Sequence, residues 1–156
     1  MLSFGFSFLG LIYLFALIIP NILWTKRLPK NYQSDHENKI FGFFEKVGQA
    51  LVCTTLLFFN KDFFPIFSAW YCWLFLSIFF MILYELWWIR YFKSERNLVD
   101  FYSSFLIIPV AGATLPILGF LCLGIYTSNF ILLGSTIILG IGHIGIHLEH
   151  LNELKK

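Results

Sequence analysis

Residues 101–148 decide the fold, and they read FYSSFLIIPVAGATLPILGFLCLGIYTSNFILLGSTIILGIGHIGIHL. No residue in this stretch carries a fixed charge. A helix rises about 1.5 Å per residue and the hydrocarbon core of a bilayer is about 30 Å thick, so a crossing takes roughly 20 apolar residues. The stretch is long enough for two such helices, and the polar residues at 126–129 can supply the turn between them. We therefore predict two transmembrane spans, at about 103–125 and 130–148.

The composition of the whole chain agrees with this prediction. Of its 156 residues, 58% are hydrophobic and 13% are charged, whereas soluble domains are about 45–50% apolar and about 25% charged. A net charge of +2, with no basic cluster on an aromatic surface, excludes a nucleic-acid-binding module. The chain is predicted to be a multi-pass protein of the cell membrane, in direct contact with lipid. Its richness in Phe, Ile, Asn and Lys suits an AT-rich bacterial genome.

Three further stretches are long and apolar enough to cross a membrane: residues 4–24, 40–59 and 68–89. The first contains no charge and the third contains only Glu85. The second contains Glu45 close to its start, and an ionisable residue at that depth is costly unless it faces protein or water. The predicted fold is therefore a single all-α domain of five transmembrane helices that includes the entire chain, 1–156.

The basic residues predict the orientation of these five helices. Every Lys and Arg except Lys61 falls on the side that holds the C-terminus. Because cytoplasmic loops collect Lys and Arg, the N-terminus is predicted outside and the C-terminus inside. Aromatic residues near the ends of the spans are predicted to anchor the helices at the two interfaces. They are Trp24, Trp87, Trp88 and Tyr91 on the inner side and Trp70 and Trp73 on the outer side.

Polar residues inside the spans gather at one depth, in the inner half of the membrane. Those with ionisable side chains are Glu45, Glu85, His143 and His147. Gln49 lies one turn beyond Glu45 on the same helix face. Small residues at 109–114 permit close helix approach or leave space for a ligand. Together they predict a polar cavity that is open to the cytosol.

The most specific motif is GHIGIHLEH at residues 142–150. Its histidines, His143, His147 and His150, follow the spacing i, i+4 and i+7 and so project from one helical face. Two histidines four residues apart can hold one metal ion. The same groups suit a proton relay, an interhelical hydrogen bond or contacts with water and headgroups at a helix end.

A carboxylate from a second helix would complete a metal site. With Glu45 or Glu85 as that ligand, the histidines predict a zinc, iron or manganese site with an open coordination position.

The three cysteines lie singly in apolar runs, so they indicate neither a disulfide framework nor a redox motif.

These observations leave three functions open. The leading hypothesis is a cytosol-facing cavity that binds a small ligand or a metal ion, in a transporter or in a subunit of one. Its predicted site is Glu45, Gln49, Glu85, His143 and His147. The second is an intramembrane metal-dependent enzyme that acts on a lipid or isoprenoid substrate. The third is a non-catalytic assembly subunit, in which the polar residues join helices within a homo-oligomer or to a partner subunit.

Overall fold

The computed structural model describes residues 3–29, 32, 37–60 and 68–156. In chain order its elements are β1 (Ser3–Phe4), α1 (Phe8–Thr25), α2 (Lys39–Phe58), β2 (Phe59–Asn60), α3 (Tyr71–Lys93), α4 (Leu98–Tyr102), α5 (Ala111–Thr127) and α6 (Phe130–Glu153). The two short strands pair antiparallel and join the chain ahead of α1 to the end of α2. Apart from this pairing, all regular structure in the described ranges is helical, which confirms the predicted all-α class.

Four of the helices in the described part of the chain are long and apolar enough to cross a membrane: α1, α2, α3 and α6. The fifth long helix, α5, is also apolar but has 17 residues. The outward faces carry large apolar side chains, such as Phe15, Ile82 and Ile141, and each of these is about half exposed. Extended apolar surface of this kind suits contact with lipid. The helices are therefore compatible with a membrane protein.

The helix α5 begins later than the predicted fourth span. Residues 103–110 form a non-helical turn in which Phe105 and Ile108 exchange backbone hydrogen bonds of 3.1 Å. Val110 precedes the helix with a left-handed φ of 40°, and the proline before it lacks a backbone N–H for a helical bond. The first helical residue is therefore Ala111 and not residue 103.

The five long helices contact one another in a ring, in the order α1, α2, α6, α5 and α3. The helix α2 packs most extensively against α6, and α3 packs most extensively against α5. A further contact joins α5 to α6, while α1 makes smaller contacts with α2 and α3. Most residues of α5 are buried as a result.

The N-terminal half of α1 packs closely against α2 and α3. Gly10 lies so close to α2 that an added Cβ would fall 1.7 Å from the Leu56 carbonyl oxygen. Tyr13 shares a 2.8 Å hydrogen bond with Ser77 of α3. Beyond Leu17, a cavity separates α1 from α2 and α6. The C-terminal half of α1 thus forms one wall of that cavity.

Candidate functional site

A cavity of about 480 Å³ lies at the end of the bundle where α1 and α3 end and α2 and α5 begin. All six helices contribute to its lining, together with Tyr32 and Glu37 from the segment between α1 and α2. Its volume is within the range of small-molecule sites, about 300–1,000 Å³. Six lining residues carry carboxylate, amide or imidazole groups: Asn21, Glu37, Glu45, Gln49, His143 and His147.

Glu45 and His143 form the principal polar contact of the cavity. Oε1 of Glu45 lies 2.5 Å from Nδ1 of His143, and each side chain is about a quarter exposed. The two residues meet because α2 and α6 are in backbone contact at Gly142, where an added Cβ would fall 2.2 Å from the Glu45 nitrogen. A carboxylate bonded to imidazole is a charge-assisted hydrogen bond, which is stronger than a neutral one.

His147 lies one turn beyond His143, and the two ring centroids are 4.7 Å apart. Its side chain is 9% exposed and packs against the rings of Phe101 and Tyr102, at 5.4 and 5.3 Å. Among the described residues, its Nδ1 is buried without a hydrogen-bond partner. A buried polar atom without a partner is costly, so a hydrogen-bond partner for this nitrogen would stabilise the protein.

Aromatic rings form much of the cavity wall. Trp24 of α1 stacks on Phe101 of α4, with ring centroids 5.1 Å apart. Trp87 and Trp88 of α3 meet edge to face at 4.8 Å. Trp87 fits there because its neighbour on α5 is Gly112, where an added Cβ would fall 2.4 Å from the indole ring. The wall therefore depends on a glycine directly opposite a tryptophan.

Three aromatic residues on α3 are buried within the protein, so they do not present their rings to a membrane interface as predicted. Trp87 and Tyr91 have no exposed surface, and Trp88 is 4% exposed. They pack against one another and against Phe101. They are buried because Phe101 of α4 covers all three rings.

Tyr32, Glu37 and His150 form a second polar group at the edge of the cavity. The Tyr32 hydroxyl donates to Oε1 of Glu37 at 3.2 Å, and Nε2 of His150 lies 3.4 Å from the same oxygen. The His150 ring stacks on Tyr102 at 5.2 Å. Burial raises the pKa of Tyr32 and of Tyr102, and the nearby Glu37 carboxylate raises both further. Both phenols are therefore neutral at physiological pH and can donate hydrogen bonds.

The structure brings together most of the predicted site. Glu45, Gln49, His143 and His147 all line the cavity. Glu85 does not belong to the lining; it is half-buried on α3, and its Oε1 is buried without a partner among the described residues. His150 also lies outside the lining and contacts Glu37 instead.

No three His, Cys, Asp or Glu side chains are grouped as ligands for one metal ion within the described ranges. The nearest approach to such a group is Glu45 with His143 and His147, where Nδ1 of His143 is already bonded to the carboxylate. The predicted zinc, iron or manganese site thus has no support from this part of the chain.

Several lining residues were not predicted from the sequence. Asn21 donates from its amide to the Tyr84 hydroxyl at 2.9 Å, within the last turns of an otherwise apolar helix. Because this amide lies at the depth of the other polar residues, the sequence could have indicated Asn21 as a member of the site. Glu37 and Tyr102 lie outside the predicted spans, where no periodicity relates them to the site.

Comparison with models of protein families, with curated proteins and with solved structures finds no match. Function is therefore inferred from the cavity and its side chains, because a fold alone does not specify an activity.

Proposed function

We propose that the chain is a small-ligand-binding protein of the cell membrane, with five membrane crossings, the N-terminus outside and the C-terminus inside. In support, α5 begins at the cavity end of the bundle and α6 ends there, so the long helices alternate in direction. At 17 residues α5 is about 25 Å long, close to the thickness of the hydrocarbon core. The distribution of Lys and Arg supports a cytosolic position for the cavity.

The observation that supports ligand binding is an open cavity with polar groups inside an apolar shell. Ligand sites combine apolar and aromatic walls with a few polar groups that set orientation. In the described structure, His147 Nδ1 and Trp87 Nε1 are buried without hydrogen-bond partners, and both residues line the cavity. Since both atoms lack accessible surface, the support for ligand binding comes from the open cavity and from the polar groups Glu45, Gln49 and His143 that line it.

The same observation favours ligand binding over a purely structural role. Polar residues that only join helices pair with one another, and the helices close around them. Here the Glu45–His143 pair faces a space of about 480 Å³. A transporter, or the binding subunit of one, would use this cavity in the same way.

A cavity-filling substitution tests the proposal. Leu17 lines the cavity, and Ile19 on the same helix is 53% exposed and outside the lining. Three probes of similar shape are used: benzyltrimethylammonium, its neutral isostere neopentylbenzene, and the anion phenylmethanesulfonate. Binding to protein in non-ionic maltoside micelles is measured by saturation-transfer NMR.

We expect at least one probe to bind saturably to the wild type and to Ile19→Trp, and to lose binding in Leu17→Trp. If no probe shows binding that depends on Leu17, the proposal is overturned.

A further inference from the structure

We infer that the cavity takes an organic cation, an ammonium group attached to an apolar body. This inference rests on the proposed function and names the class of ligand. Three features of the lining support it: its charged groups, the arrangement of its aromatic rings, and the apolar surface at its base.

The charged side chains of the lining are acidic. Glu37 and Glu45 line the cavity, and no Lys or Arg is among the lining residues that the structure describes. Lys26, Arg27 and Lys46 lie nearby in the sequence, but they are exposed and belong to the outer surface. Among the described lining residues, an anion would therefore meet two carboxylates and no Lys or Arg. In a medium of low dielectric constant that repulsion is strong.

Aromatic rings form a corner beside these carboxylates. The rings of Trp24 and Tyr32 meet at 83°, with centroids 5.2 Å apart, and Trp24 stacks on Phe101. All three rings line the cavity, and the electron-rich face of an aromatic ring attracts an ammonium ion. Trp contributes most to such contacts, followed by Tyr and Phe. The corner supplies attraction for a cation that a neutral molecule would not receive.

The base of the cavity is apolar and requires an organic ligand. Ile117 and Phe120 of α5 and Leu139 of α6 line it. A bare ammonium ion would leave this surface in contact with water, whereas an attached hydrocarbon group would cover it.

Dissociation constants for the same three probes test the inference. In the wild type we expect benzyltrimethylammonium to bind about tenfold more tightly than neopentylbenzene, and phenylmethanesulfonate to bind most weakly. Glu45→Gln should weaken the cation about tenfold while affinity for the neutral isostere is retained. Glu85→Gln is the matched control, because it removes a carboxylate from outside the lining, and it should leave both affinities unchanged.

A second variant addresses the rings and does not alter the Glu45–His143 pair. Trp24→Leu keeps an apolar side chain but removes one face of the corner, so the preference for the cation should fall severalfold. Equal or tighter binding of the neutral or anionic probe, still dependent on Leu17, would overturn this inference and leave the proposed function intact. Failure of the proposed function is recognised separately, as the lack of Leu17 dependence for all three probes.

Discussion

Oε1 of Glu45 and Nδ1 of His143 lie 2.5 Å apart at the point where α2 and α6 make backbone contact. The contact is possible because position 142, next to the histidine, is glycine. Sequence separation between the pair is large, so the close approach of two helices, and not local structure, brings them together. The geometry of the cavity thus depends on the close approach of α2 and α6 at Gly142.

Gly142→Ala is expected to destabilise the protein by about 1–3 kcal/mol, because its Cβ would overlap the α2 backbone. Gly134→Ala in the same helix is the control: nothing lies within 4 Å of a Cβ there, and alanine favours a helix. Thermal unfolding in maltoside micelles measures the melting temperatures of the two variants. Equal melting temperatures for the two variants would contradict the close crossing.

The Glu45–His143 pair should show energetic coupling. In a double-mutant cycle with Glu45→Ala and His143→Ala, we expect an interaction energy of about 1–2 kcal/mol, because the two groups are in direct contact. In a parallel cycle with Glu85→Ala and His143→Ala, the two changes in the free energy of unfolding should add within about 0.5 kcal/mol. Denaturant unfolding in mixed micelles gives both values. Additivity in the first cycle would show that the pair does not form.

Cysteine labelling tests whether α5 crosses the membrane. Ala69 lies before α3 and Lys155 lies after α6, and both are exposed. With the native cysteines replaced, we expect a membrane-impermeant maleimide to label Ala69→Cys in intact cells and Lys155→Cys only after permeabilisation. Three crossings separate the two positions if α5 spans. Labelling of both positions from the same side would mean that only two of those helices cross.

Metal removal separates the proposed binding mode from the metal-dependent alternatives. Carboxylates and aromatic rings recognise the cation in the proposed mode, so benzyltrimethylammonium binding should be unchanged after dialysis against EDTA. The same titration before and after dialysis is the measurement. Loss of binding on chelation, with recovery on adding zinc, iron or manganese, would favour the predicted metal site instead.

Much of the fold could be predicted because hydrophobic length is a local property. The spans that became α1, α2, α3 and α6 were recognised as uncharged or nearly uncharged stretches. The start of α5 could not be predicted in this way, because residues 103–110 have the composition of a helix but form a turn. Composition cannot distinguish a helix from a turn when a proline and left-handed residues interrupt an apolar run.

The candidate site could be predicted where its residues share a helix face or a depth. His143 and His147 follow helical spacing, and Glu45 lies at the same level on another span. Glu85 also lies at that level, yet it is outside the lining, because depth does not specify which side of a helix faces the cavity. The aromatic wall was missed because α4 folds back over the end of α3, a tertiary contact that no sequence period encodes.

The most direct test of the central claim, that this cavity is a ligand site, is a crystal structure with 4-bromobenzyltrimethylammonium, in which anomalous scattering locates the bromine. The account predicts a single strong bromine peak against the apolar base near Phe120, with the ammonium group within about 6 Å of the Trp24 ring and on the Glu45 side of the cavity. An empty cavity, with bromine only on the outer apolar faces of the helices, would contradict it.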